Sequence, residues 1–408
     1  MEGVLHYIWQ HRIFPAAELH TTDGRLLEII DVGIHNRNQG PDFFNAKIRL
    51  DGILWAGNVE IHSDASEWFK HGHDKDCAYD NTILHVVEHD DAVVVTSAGS
   101  TPAQFVLRIP ERIRERCEEL SATIDYPRCH RLVRRMEQIK VHAWMDALLV
   151  ERLAERSKKV LERLSQFGGD WEKTTFVTLS RAFGFGLNGD TFEVWAGSIP
   201  LQAVGKHRDN LIQVAAFFLG MAGLIERSTK TKETPELTQE ALMREWTFLS
   251  TKFQLSTPMQ ATSWRHMRIR PRNFPEVRIV HLARLFHAGC VTLSRILDLQ
   301  DTETLFTDFR SCGISEDACR LLVINAVVPL LYAYGRYHAD ETLCDRALSF
   351  LDGLPAEDNY ILRQWRACGL SADTAADSQA LMQLKREYCD LRKCMSCRFG
   401  HEFLSIRE

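Results

Sequence analysis

Several things are missing from these 408 residues, and each absence removes a class of protein. No apolar run reaches the roughly 18 residues of a membrane-crossing helix, so no membrane partner is expected. The opening stretch, MEGVLHYIWQHRIF, has no basic segment followed by an apolar core, so no secretory leader is expected. There is no surplus of positive charge: 49 basic against 55 acidic residues give a net charge of −6, which argues against indiscriminate coating of nucleic acid. No repeat of fixed period is found, which argues against a solenoid. The eleven cysteines do not form a small disulfide framework, and a chain this long does not need one. A cytoplasmic protein with reduced thiols is expected.

What remains is an ordinary globular composition, 45% hydrophobic and 25% charged, in a chain long enough for two domains. Residues 1–110 read as helix, three strands, helix and strand, then further strands. Residues 2–14 carry Val4, Leu5, Tyr7, Ile8 and Trp9, an opening helix. Arg25–Val32 and Phe43–Leu50 are strands. Asp51-Gly52 is a hairpin turn, and Ile53–His62 is the returning strand. Ser63 or Asp64 caps a short helix through Lys70. Asn81–Glu88 is a nearly continuous apolar run, suited to a central strand. Ala92–Thr96 and Gln104–Ile109 read as further strands.

After Pro110 no alternation of period two persists, and residues 111–408 are expected to be helical. Val141–Phe167 is the clearest helix, ending at Gly168-Gly169. Asn210–Ile225, Gln239–Phe253, Val277–Leu297 and Asp317–His338 follow, with Ser228–Pro235 as a polar linker. Gly184–Gly189 is a loop but not a phosphate loop, since no strand precedes it and no Lys-Ser/Thr follows. The expected fold class is therefore α+β: an N-terminal sheet domain, then an all-helical domain ending in a cysteine-rich tail.

The chemistry concentrates in residues 40–62, GPDFFNAKIRLDGILWAGNVEIH. Asp42 opens one strand; Glu60 and His62 end the next, on one face. Two carboxylates converging on a face repel unless a cation lies between them, so Mg²⁺ or Mn²⁺ is expected. With its element order, this stretch resembles the PD-(D/E)XK nuclease superfamily. Pro41-Asp42 matches the first motif element, and Glu60-Ile61-His62 matches Glu-x-Lys with His in place of Lys. The resemblance covers about a quarter of the chain. It implies that Asp42 and Glu60 hold the metal, and that His62 takes the proton-handling place of the lysine. A neutral imidazole can accept a proton near pH 7. The histidine could instead bind the metal, or the positive role could pass to Lys47, although regular strand parity turns Lys47 away from Asp42.

Over nearly its whole length the chain also resembles an uncharacterised bacterial family known only as a domain of unknown function. The residues that carry this are GPDF, GNVEIH, a His-Gly-His segment, RPRNFP and the cysteine-rich tail.

Three further groups stand out. His71, His73 and Asp76 follow Glu60 in a polar run, and imidazole with carboxylate suits Zn²⁺. A zinc-dependent hydrolase is the second enzymatic expectation. His85, on an apolar strand, reads as a buried and hydrogen-bonded core residue. In the tail, Cys389, Cys394, Cys397 and His401 have ligand spacing. They fit either Zn²⁺ held by three thiolates and His401, or an iron–sulfur cluster with a distant fourth cysteine, Cys368 or Cys129. Some PD-(D/E)XK nucleases pin their C-terminus with such a cluster. Finally, Arg265, Arg268, Arg270 and Arg272 cluster in WRHMRIRPRNFPEVR, and Arg131 and Arg135 lie in a second basic stretch. Guanidinium forks match phosphate oxygens, so nucleic acid is the expected partner. The alternative is that these arginines pair with acidic residues of the chain itself.

The expected function is a metal-dependent nuclease acting on DNA or RNA. The competing class is a noncatalytic scaffold that binds nucleic acid or protein.

Overall fold

The computed structural model describes residues 2–14, 18–36, 38–123, 127–228, 237–255 and 258–405. The chain divides into two compact units. One is Met1–Val141 together with Arg386–Glu408; the other is His142–Lys385. The position expected for a boundary, residue 110, thus lies inside the first unit, and the cysteine-rich tail returns to that unit.

The first unit is a mixed sheet. Its helix α1 (Glu2–Gln10) precedes β1 (Leu19–His20), β2 (Leu26–Asp31), β3 (Ile34–His35), β4 (Phe43–Leu50) and β5 (Ile53–Asp64). A short helix α2 (Glu67–Lys70) then leads to β6 (Thr82–His89), β7 (Ala103–Val106) and helix α3 (Glu111–Ala122). The strand order is β1-β2-β4-β5-β6-β7, with β3 beside β4. Strands β2, β4 and β5 form an antiparallel meander, while β5, β6 and β7 run parallel. The parallel step follows from the chain between β5 and β6, which crosses over through α2 rather than turning back.

Local chemistry accounts for these elements. Asp51 and Gly52 both have positive φ, 46° and 83°, as a tight two-residue hairpin requires. One face of the sheet is apolar: Phe43, Ala46, Ile48, Val59, Ile61, Leu84 and Val86 are fully buried. Each large side chain there contributes about 1.5–3 kcal/mol by leaving water. Helix α1 buries Val4, Leu5, Ile8 and Trp9.

Three expectations are corrected. Strand β5 runs on to Asp64, so Ser66 rather than Ser63 or Asp64 stands before α2, and its side chain makes no cap bond. Residues 92–96 are not a strand; that segment instead covers Trp68, whose indole N–H donates to the Val95 carbonyl at 2.9 Å. Asn45 has φ 57°, and the β4–β5 register shifts between Phe43 and Ala46. That bulge reverses strand parity. Lys47, paired with Ala56, therefore shares the face of Glu60 and His62, but it stands about 13 Å further along at ~3.3 Å per residue and is exposed.

Among its described residues the second unit consists of helices joined by loops, with one isolated bridge between Pro355 and Thr374. It includes most of the long helix Gln138–Gln166, then Trp171–Phe183, Leu211–Ala222, Gln239–Phe253 and others. The expected single helix Val277–Leu297 is two, Pro275–Ala288 and Leu293–Asp298, because Gly289 with φ 79° ends the first. The continuous run Glu316–His338 is, by length and composition, apolar enough to cross a membrane, contrary to expectation; 78% of its apolar window is buried inside the protein, as in a core helix. Pro329 lacks an amide hydrogen, and the helix widens to π geometry over Val323–Val327 just before it. The expected linker Ser228–Pro235 lies outside the described residues except for Ser228.

Gly57 is the tightest point beneath the site. A Cβ there would fall 2.4 Å from Ile83 Cγ2 and 2.7 Å from the Asn81 carbonyl oxygen. Gly57→Ala is expected to push β6 away from β5 and to lower stability by roughly 1–3 kcal/mol in urea unfolding. An unchanged unfolding midpoint would contradict this close approach.

Candidate functional site

The site forms where β4 begins, β5 ends and α1 passes. The Asn36 side-chain amide donates to the carbonyls of Asn38, Gln39 and Pro41, folding the preceding loop around itself. This presents Asp42 to β5, where two bonds run in opposite directions. The Asp42 amide donates to Glu60 Oε2 at 3.0 Å, and the Ile61 amide donates to Asp42 Oδ2 at 2.9 Å. The two acids thus meet, each gripping the other's strand. Burial raises the Glu60 pKa, and the neighbouring Asp42 charge adds to the rise.

Sheet register places Glu60, His85 and Gln104 side by side across β5, β6 and β7. From this row a hydrogen-bonded relay runs outward. Gln104 Nε2 donates to Asp90 and to the Ala92 carbonyl, so its Oε1 faces His85 Nδ1 as an acceptor at 3.0 Å. His85 Nε2 lies 2.9 Å from His62 Nδ1, and His62 Nε2 lies 3.2 Å from His71 Nδ1. Burial, reinforced for His62 by the neighbouring histidines, drives the pKa of His85 down to about 4 and that of His62 to about 2. Both rings are therefore neutral at pH 7. A neutral His85 that donates through Nδ1 must accept at Nε2, so His62 donates through Nδ1. The lone pair of His62 Nε2 is then left facing outward.

That lone pair looks at electron-rich neighbours. Glu60 Oε1 is 3.7 Å from His62 Nε2 and 3.2 Å from His73 Nε2. His62, His71 and His73 bring their ligand atoms within 4.8 Å of one another. Three imidazoles beside one carboxylate suit Zn²⁺ or Mn²⁺; Mg²⁺ prefers an all-oxygen shell and fits this set poorly. The relay through His85 to Gln104 fixes the His62 imidazole in one tautomer, as outer-shell bonding would for a ligating ring. A stacked Tyr79 ring, 3.8 Å from the His73 centroid, and the buried Trp68 close the inner side.

A second group adjoins the first. His6 Nε2 lies 3.2 Å from Asp42 Oδ2 and 3.8 Å from Glu2 Oε1. Burial lowers the His6 pKa, but the Asp42 bond and charge, with Glu2 and Glu60, more than offset it, and the net shift is upward.

Other expected residues fall elsewhere. Asp76 turns away and caps a short 3-10 turn by accepting from the Ala78 amide at 2.9 Å; His62 takes its place beside His71 and His73. His85 is indeed fully buried and hydrogen-bonded, and it also orients His62. His401 Nδ1 meets the Tyr7 hydroxyl at 2.8 Å and its Nε2 lies 3.4 Å from Ser405 Oγ, so both ring nitrogens face hydroxyls rather than thiols. Arg265, Arg268, Arg270 and Arg272 are exposed, and no ion pair engages them among the described residues. Arg131 pairs with Glu119 at 3.2 Å, and Arg135 is exposed. Sequence reasoning missed His6 and Gln104. For His6 a signal existed, its i,i+4 spacing from Glu2; for Gln104 only the sheet register reveals the role.

The relay carries two predictions. His62 and His85 resist protonation in the folded state, so their contribution is complete above the ordinary value of 6.5. It is lost progressively as pH falls from 6.5 toward the folded value of about 4 for His85. The urea midpoint should therefore drop between pH 7 and pH 5, and His85→Gln should flatten that drop; parallel curves for the two proteins would refute it. Gln104→Leu removes the acceptor that sets both tautomers and should weaken Zn²⁺ or Mn²⁺ binding roughly 10–100-fold in competition with a chelating dye. Equal affinity would show that the relay does not orient a ligand.

No curated protein and no solved structure matches this chain. A family model described as "Protein of unknown function (DUF2851)" matches residues 2–360, nearly the whole length, and the chain belongs to that family.

Proposed function

We propose that the protein is a metal-dependent hydrolase of phosphodiester bonds in nucleic acid, DNA or RNA. The observation that carries this reading is the convergence of Asp42, Glu60 and three imidazoles at one place in the sheet. The order α1, meander, α2, β6 agrees with the order expected from the nuclease resemblance. The exposed Arg265, Arg268, Arg270 and Arg272 offer guanidinium groups free to meet phosphates.

Glu60, His62, His71 and His73 would hold Zn²⁺ or Mn²⁺. Such an ion supplies Lewis acidity and lowers the pKa of bound water. Of the roles that the sequence leaves open for His62, metal ligand is the one favoured. A ring with a pKa of about 2 is no proton acceptor at pH 7, so His62 serves as a ligand. His6, whose pKa is raised beside Asp42, is the group suited to hold and return a proton at Nε2. Asp42 positions that ring and contributes negative charge beside the ion.

A second reading, a noncatalytic binding scaffold, draws on the same clasp. Both acids bond to backbone amides, as a purely structural lock would.

The test is cleavage of single- and double-stranded DNA and RNA with Zn²⁺, Mn²⁺ or Mg²⁺. Asp42→Ala and His6→Ala should lower kcat by roughly 10²–10⁴-fold. Glu60→Ala and His62→Ala should lose metal binding as well. No cleavage by wild type with any ion, or undiminished cleavage in all four variants, would leave the scaffold reading standing.

A further inference from the structure

The eleven cysteines form no disulfide. Four of them gather in the first unit, three from the tail and one from a segment about 260 residues earlier in the chain. Cys129 is buried, and the sulfurs of Cys397, Cys389 and Cys394 all lie within electrostatic reach of it. The Arg128 guanidinium, next to Cys129 in sequence, acts on the Cys394 thiol and favours its thiolate, against the effect of burial. Cys397 is buried as well.

The tail is shaped to bring its thiols together. Arg392, with φ 56°, reverses the chain, and its amide donates to the Cys389 carbonyl at 3.2 Å. The Lys393 amide donates to the Tyr388 carbonyl at 2.8 Å, and the Cys397 amide to the Cys394 carbonyl at 3.2 Å. Gly400 lies so close that a Cβ there would stand 1.9 Å from the Cys394 carbonyl oxygen. The backbone between the first and third thiols is thus folded tightly upon itself. Arg392, Lys393 and Arg398 flank it, a setting that favours a negatively charged centre.

We propose that Cys129, Cys389, Cys394 and Cys397 hold an iron–sulfur cluster that fastens the C-terminal segment to the first unit. Three thiols from one short C-x4-C-x2-C loop plus one distant cysteine is an iron–sulfur spacing, whereas structural zinc is typically held by two short ligand pairs. Cys129 takes the fourth place, since all three tail sulfurs act on it and His401 is engaged with Tyr7 and Ser405. Cys117, on α3, is within reach of Cys394 but does not bear on Cys129, which places it outside the set.

The full chain, purified without oxygen, should contain iron and acid-labile sulfide and show visible charge-transfer absorption. Cys129→Ser and Cys397→Ser should lose both, while Cys117→Ser and His401→Ala retain them. Apo wild type supplied with ferrous iron and sulfide under reducing conditions should regain the same spectrum, which guards against variants that merely misfold. Stoichiometric zinc without iron, neither metal in fresh and reconstituted protein, or full iron and sulfide in Cys129→Ser would each overturn the assignment. None of these readouts depends on nucleic-acid cleavage.

Discussion

Two hydrogen bonds of opposite direction, Asp42 amide to Glu60 and Ile61 amide to Asp42, tie the start of β4 to the end of β5. Each carboxylate replaces a ladder partner at a place where the regular register has already slipped by one residue. Buried acids this close would repel one another in a medium of low dielectric. The arrangement tolerates them because amides, imidazoles and a raised Glu60 pKa share the burden. The same constraint selects what can bind beside them. Three imidazoles, of His62, His71 and His73, make a softer donor set than two acids alone, and any ion held there would be better matched by zinc or manganese than by magnesium.

Much of the first unit was legible from patterning. The meander, the Asp51-Gly52 turn and the apolar β6 are all set by local rules of alternation and turn chemistry. Asp42, Glu60 and His62 could be singled out because alternation puts Glu60 and His62 on one face and the hairpin brings Asp42 back toward them. Which of its possible roles His62 takes, proton acceptor or metal ligand, was not legible. Its protonation depends on His85 and Gln104, which reach it only through a parallel sheet register that no local pattern encodes. The position of Lys47 misled for a similar reason: one left-handed residue, Asn45, inverts every parity argument beyond it.

The second unit shows the converse. Its helices are readable from period, yet nothing in that period tells a core helix from a membrane helix, as Glu316–His338 demonstrates. The arginine-rich stretch also differs in detail from its sequence appearance. Arg278 is buried, with its guanidinium 4.4 Å from the centre of the Phe185 ring, while its four neighbours remain in water. A cation on a buried aromatic face holds structure together, and those at the surface are free to serve something else.

Helix α1 works on two sides at once. One side turns His6 toward Asp42; the other places Tyr7 against His401, while Gly3 lies so near Met395 that a Cβ would come within 3.3 Å of its Cε. The outermost residues of the chain therefore complete the same body, and residues 142–385 are an insertion within it. During synthesis the inserted helices can finish folding while the earlier sheet still waits for its last piece. A chain cut before residue 386 would accordingly leave uncovered the side of α1 that bears Gly3 and Tyr7, while His6 would keep its partners Glu2 and Asp42.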